Sequence, residues 1–184
     1  STGSYITSVG YQALYSNTAN NADAFGYTAL KNNTTGTDNV GLGKQGLFTN
    51  TTGASNTSVG SGTMYSNSTG SSNTAIGRSA LRSNTTASFN TAVGYSAGYS
   101  NVSGVEMVAL GYEALYASTA TGNTGLGYRA GRNTTGDDNT FVGGFAGFDN
   151  TSGSSNTSLG FNSLSNNTTA SNNTAVGMSA LISN

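Results

Sequence analysis

One glycine recurs along the whole chain and limits what the chain can fold into. It stands at Gly10, Gly26, Gly43, Gly60, Gly77, Gly94, Gly111, Gly127, Gly143, Gly160 and Gly177, with spacings of 16, 17, 17, 17, 17, 17, 16, 16, 17 and 17 residues. Units of this length fill all 184 residues, so positions 1–184 read as a single repeat domain. A helix–turn–helix repeat needs about thirty residues or more, so the unit is too short to be helical. No i, i+3, i+4, i+7 pattern outlasts one turn, and glycine interrupts every unit. The period predicts an all-β chain, a β-roll-like β-solenoid of eleven stacked 16–17-residue coils. Coils bonded at about 4.8 Å each would make a rod on the order of 50 Å long. No coil could bury its apolar face alone, so stability would come from neighbours.

Each column of the repeat carries its own expectation. Directly before the glycine stand Val9, Phe25, Leu42, Val59, Ile76, Val93, Leu110, Leu126, Val142, Leu159 and Val176. All are apolar, and they are expected to form the core column. Four residues after the glycine stand Leu14, Leu30, Leu47, Met64, Leu81, Leu115, Leu164 and Leu181, a second core column, broken by Gly98, Gly131 and Gly147. Small residues fill the positions three after and two before the glycine, with Phe141 the exception. An Asn column four before the glycine (Asn39, Asn56, Asn73, Asn90, Asn123, Asn139, Asn156, Asn173) suits amide ladders along the axis. The neighbouring Thr column accepts Val40 and Val108, which suggests that it faces inward. Two strands per unit are expected, one from the Asn column to the residue after the glycine and one at the A-L-Y segment. A wide N-T-T-G-S turn would follow, with Gly36, Gly53, Gly70, Gly136 and Gly153 at φ > 0.

Composition sets the remaining bounds. Abundant Gly and polar residues with little charge would suit a disordered chain, but a periodic apolar pattern with ten Tyr and seven Phe argues for order. Six Lys and Arg over eleven units, at a net charge of −1, are too few to follow a phosphate backbone, so no nucleic acid is expected. No stretch of about eighteen apolar residues would insert in a membrane. Without Cys or His there are no disulfides, thiolates or imidazole ligands, and a His-dependent triad is excluded. The chain reads as a non-enzyme without a cofactor or metal. The turn acids Asp137 and Asp138 face no evident cleft. Calcium rolls carry an acid in every unit; here only a lone site near Asp137, Asp138 and Asp149 could be drawn.

Sequons fall repeatedly in one turn column, at Asn33, Asn50, Asn67, Asn84, Asn101, Asn150 and Asn167, with Asn133 displaced by one residue. These are candidate N-glycosylation sites on a surface stripe, the alternative being plain Asn and Thr turn ladders. Aromatic columns follow the glycine directly (Tyr11, Tyr27, Tyr95, Tyr112, Tyr128, Phe161) and four residues later (Tyr15, Phe48, Tyr65, Tyr99, Tyr116, Phe148). Ring stacking between coils is their expected role, with glycan or partner binding as the alternative. Asn184 lies seven residues past Gly177 and Ser1 nine before Gly10, so the ends would join in register. That continuity suggests a segment of a longer fibre or a unit stacking head to tail.

The units Asn90 to Ala97 and Asn173 to Ala180 resemble the N-S-V-A-I-G units of trimeric autotransporter adhesin heads. They resemble still more the N-T-A-I-G-Y-x-A-L repeats of phage and viral tail fibres. The resemblance implies a solenoid shaft outside the cell (on a cell surface, a secreted fibre or a virion), often homotrimeric and adhesive. The period of 16–17 residues departs from the adhesin head's shorter unit. The expected function is therefore structural: an extracellular fibre or adhesin shaft built by self-association, with cell-surface glycans as a further partner. The alternatives are an ice-binding solenoid and a glycan-binding module.

Overall fold

A computed structural model describes residues 3–183; Ser1 and Asn184, on which the in-register ends rest, lie outside them. The described residues form eleven short strands: β1 Thr7–Val9, β2 Ala22–Phe25, β3 Asn39–Leu42, β4 Thr57–Val59, β5 Thr74–Ile76, β6 Thr91–Val93, β7 Val108–Leu110, β8 Thr124–Leu126, β9 Thr140–Val142, β10 Thr157–Leu159 and β11 Thr174–Val176. They pair in parallel, in sequence order, as one eleven-stranded sheet. The register sets like residues side by side, Thr57 on Thr74 on Thr91 and Val59 on Ile76 on Val93. The chain is a β-solenoid. Coils are numbered below by their aligned glycine, coil 1 at Gly10 to coil 11 at Gly177.

The strand ends at the residue before the glycine rather than after it, and the A-L-Y segment is not a second strand. In coil 2, Ala29 N–H bonds Gly26 C=O and Asn33 N–H bonds Leu30 C=O, two tandem turns. Left-handed backbone recurs two and four residues after the glycine, as at Gln45 (φ 60°) and Leu47 (φ 51°). A bulky residue there is strained by about 1–3 kcal/mol. The offset comes from bonds along the axis: Leu30 N–H donates to Gly46 C=O in coil 3, and Thr28 N–H donates to Tyr11 C=O in coil 1. Inter-coil hydrogen bonding thus continues where the strand ends.

The aligned glycine is required twice over. Gly60 has φ 134°, and a Cβ on it would lie 2.7 Å from the carbonyl oxygen of Gly77 in the next coil. The wide-turn column behaves otherwise: Gly36, Gly53, Gly70, Gly136 and Gly153 do not take φ > 0. Ala87 and Ala170 share that column, so it calls for a small side chain rather than left-handed backbone. The left-handed residue comes two positions later, at Asp38, Ser55, Ser72, Asp138 and Ser155.

The core holds one of the two expected columns. Leu30, Leu47, Met64, Leu81, Leu115 and Leu164 are fully buried. The other column is turned outward: Val9, Phe25, Leu42, Ile76, Leu110, Leu159 and Val176 are exposed, and Val59, Val93, Leu126 and Val142 half-buried. Strand alternation gives the reason. The middle strand residue points inward (Ala24, Gly41, Ser58, Ala75, Ala92) and meets the leucine column; a Cβ on Gly41 would sit 3.1 Å from Leu30 Cγ. The inner sheet face must therefore be small, which sends both its neighbours out. The Thr column goes with them and is half-buried or exposed rather than inward, as at Thr57, Thr74 and Thr174.

Exceptions in one column are matched by exceptions in another. Gly98 lacks the usual leucine, and Met107, standing where Asn is usual, fills that space. Gly131 and Gly147 flank Phe141, the one large residue in the small column, and its ring occupies both missing side-chain volumes. Interiors are close-packed, so a void in one coil has to be filled from its neighbour.

Candidate functional site

Two Asn ladders run through the interior, and the sequons lie on one of them. Asn33 Nδ2 donates to Asn17 Oδ1 at 2.6 Å, Asn50 to Asn33 at 2.7 Å, Asn67 to Asn50 at 2.7 Å and Asn84 to Asn67 at 2.6 Å. Each amide also donates to a carbonyl three residues on, as Asn50 does to Gly53 C=O at 2.8 Å. Asn33, Asn50, Asn67, Asn84, Asn101, Asn150 and Asn167 are all fully buried. An enzyme could not reach these nitrogens in the folded chain, and a sugar there would displace the ladder, so the column lies inside the coil and not on a surface stripe. Asn133 is half-buried and bonds Asp149 Oδ1 at 2.7 Å, while Thr134 takes its place on the ladder. The inward turn of these side chains was not legible from the N-x-S/T spacing, which surface and buried Asn share.

The second ladder joins side chain to backbone. Asn56 Nδ2 donates to Gly70 C=O at 2.8 Å, and its Oδ1 accepts the Asn73 backbone N–H at 3.0 Å. Met107 interrupts it, and Met107 N–H still reaches Asn90 Oδ1 at 2.9 Å. These amides satisfy polar backbone in an interior too thin to be wholly apolar.

The acids are engaged locally. Asp137 Oδ1 accepts the Thr121 N–H at 2.9 Å, and Asp149 accepts from Asn133. Among the described residues, no three His, Cys, Asp or Glu side chains gather as a metal site.

Two outward surfaces remain. The sheet face carries the apolar column beside the Thr column, with Asp23 the charged residue on its strands. The other surface follows the glycine, where aromatic side chains stack coil on coil. Ring centroids lie 5.4 Å apart for Tyr11–Tyr27, 5.1 Å for Phe48–Tyr65, 5.2 Å for Tyr95–Tyr112, 5.3 Å for Tyr112–Tyr128 and 5.0 Å for Tyr99–Tyr116. Such pairs contribute about 0.5–1.5 kcal/mol each beyond their burial.

All six cations of the chain stand on this aromatic surface, over its rings: Lys31 over Phe48, Lys44 over Tyr27, Arg78 over Tyr95, Arg82 over Tyr65, Arg129 over Tyr128 and Arg132 over Tyr116. This arrangement was not anticipated, although its signal lay in the sequence: every Lys and Arg falls one, two or five residues after an aligned glycine. Glu113 sits among them, 9% exposed, and its Oε2 accepts from Arg129 Nε at 2.9 Å and Arg132 Nε at 2.8 Å. Burial by itself would raise the Glu113 carboxyl; the bonds and charges of Arg132 and Arg129 outweigh it and hold the group below the usual carboxylate range. Burial and then the Glu113 charge push the Tyr112 hydroxyl up.

A cavity of about 410 Å³ opens on this surface, lined by Arg78, Arg82, Tyr95, Tyr99, Glu113 and Tyr116 together with Ser79 and Ser96. No protein-family model, no curated protein and no solved structure matches the chain.

Proposed function

We propose that the protein is structural: a section of an extracellular fibre or adhesin-type shaft that associates with further copies of itself through its sheet face. One observation carries this reading, the continuous outward column from Val9 to Val176. Ordinary surfaces scatter exposed apolar residues; a line of Val, Leu, Ile and Phe along a whole rod favours a partner surface. A second copy suits it best. The column repeats with the coil, so two identical columns can interdigitate along their full length. With a net charge of −1, little repulsion opposes them. The resemblance to adhesin-head and tail-fibre repeats favours three copies, and stacking of coil 11 on coil 1 of another copy would extend the rod.

Sedimentation equilibrium together with negative-stain imaging tests this. The wild type is expected as a trimeric or higher rod. Replacing Val59, Ile76 and Val93 by Asp is expected to yield monomers that keep the β circular-dichroism spectrum. A wild type that stays monomeric at every concentration would defeat the reading.

The Thr column beside the apolar one favours a second reading, an ice-binding face, since both repeat at the coil spacing. Side chains from Val to Phe make that face uneven, which suits protein packing better than an ice lattice. The same preparation is expected to give no thermal hysteresis; clear hysteresis lost in Thr74→Tyr would favour ice.

A further inference from the structure

The aromatic surface contains cations of two kinds. Arg129 and Arg132 share the single carboxylate of Glu113. Arg78 and Arg82 have no carboxylate or hydrogen-bond partner among the described residues and rest only on rings, at 5.9 Å from Tyr95 and 4.9 Å from Tyr65. A guanidinium lying on a ring keeps its N–H edge free, and that edge recognises planar anions. Arg82 leans down over coil 4, where Gly62 leaves the room: a Cβ on Gly62 would stand 2.7 Å from Arg82 Nη1. Both arginines line the 410 Å³ cavity.

Arg82's lean also bears on Tyr99. Tyr112 is covered on both faces, by Tyr95 and Tyr128. Tyr99 stacks on Tyr116, and among the described residues no second ring or cation stacks on it; the Arg82 guanidinium of coil 5 lies over Tyr65. The cavity therefore offers one aromatic ring without a second stacking partner, two arginines without a carboxylate, the hydroxyls of Ser79 and Ser96, and Glu113, which uses only Oε2 for its arginines and keeps Oε1 as an acceptor.

We infer that this cavity, spanning coils 5 to 7, is a binding site for an acidic saccharide. The sugar carboxylate bonds Arg78 and Arg82, the ring packs on Tyr99, and hydroxyls bond Glu113 and the two serines. The volume lies within the range of small-ligand sites and suits one or two sugar rings. The buried carboxylate of Glu113 in the same cavity opposes polyanions such as nucleic acid, and its Oε1 can accept from the hydroxyls that a sugar supplies and sulfate lacks. The site uses only the fold of one chain and is independent of whether the sheet face pairs copies.

Calorimetric titration of the intact chain tests it with digalacturonate, its neutral counterpart digalactose, sodium sulfate and a short single-stranded oligonucleotide as probes. Digalacturonate is expected to bind one to one, at least about tenfold tighter than each of the others. The Arg78→Gln/Arg82→Gln variant is expected to weaken it by about tenfold or more, and Tyr99→Ala by several-fold. Arg82→Lys, which keeps the charge without the fork, should fall between wild type and Arg82→Gln and serves if the double variant does not fold. Lys44→Gln, on the same surface outside the cavity, should leave binding unchanged. Absence of saturable uronate binding, equal binding of sulfate or digalactose, tighter binding of the oligonucleotide, or an equal loss in Lys44→Gln would each overturn the inference. The rod proposal is read separately by sedimentation and survives any of these results.

Discussion

Coils 2 to 5 and coils 6 to 9 build the same rod in different ways. In the first group the glycine spacing is constant at 17, leucine or methionine fills the interior, and Asn33, Asn50, Asn67 and Asn84 bond in an unbroken line. In the second group two spacings shorten to 16, Gly98, Gly131 and Gly147 replace leucine, and Ser118 and Thr134 replace the ladder Asn. There Met107 and Phe141 supply the lost volume, and the ion pairs of Glu113 with Arg129 and Arg132 tie coils 7 and 8 together outside. Sameness stabilises the first group, because each bond repeats in the next coil. Local compensation stabilises the second, because a departure in one coil is absorbed by its neighbours. The ladder ends at the boundary: Asn84 Oδ1 has no partner among the described residues, and Asn101 keeps its amide bond to Gly104 C=O and accepts the Gly104 N–H on its Oδ1.

The sharpest way to break this contrast is at Phe141. Phe141→Ala is expected to cost about 3–5 kcal/mol, because two glycines beside it leave nothing to collapse into the void. Adding Gly131→Leu and Gly147→Leu, which restores the regular pattern around Ala, is expected to recover most of that loss. Urea melts of the three proteins measure it, and a triple variant no more stable than Phe141→Ala would show that the volumes do not compensate.

A smaller effect is expected on the ladders. Asn67→Ala removes bonds to Asn50, Gly70 and Asn84, leaving buried polar groups unsatisfied, at a cost of about 2–3 kcal/mol. Asn101→Ala loses only its bonds to Gly104 and is expected to cost about 1 kcal/mol less. Equal losses in thermal melts would mean that the line of amides acts no differently from isolated side chains.

The smallest effect is electrostatic. The Glu113 carboxyl is lowered in the folded chain, so its stabilisation is complete above the ordinary carboxylate range, near 4.3 in an unfolded chain, and fades as pH falls through the lowered value. The melting temperature of wild type is expected to exceed that of Glu113→Gln by a few degrees from pH 8 to about pH 5 and to approach it in more acid solution. A difference that grows below pH 4 would reverse the assigned sign.

The placement of the sugar site was partly legible. Six cations confined to three columns announce a charged surface, and the aromatic columns announce stacking. The single stacking partner of Tyr99 was not legible, because it depends on which way Arg82 leans. The burial of the sequon Asn was not legible for a related reason: N-x-S/T describes neighbours along the chain, while exposure depends on which side of the coil faces in.

The glycine period determined by itself that this chain stacks, with like residue on like and a neighbour needed for every coil. Parallel in-register pairing follows from a repeat too short to fold alone. The choice of inner face was left to the tertiary structure. Val59 and Leu47 are equally apolar, and each heads a full column. Only the small space behind the sheet decides between them: leucine fills it, the strand residue facing it must be small, and alternation then turns valine and threonine to the outside.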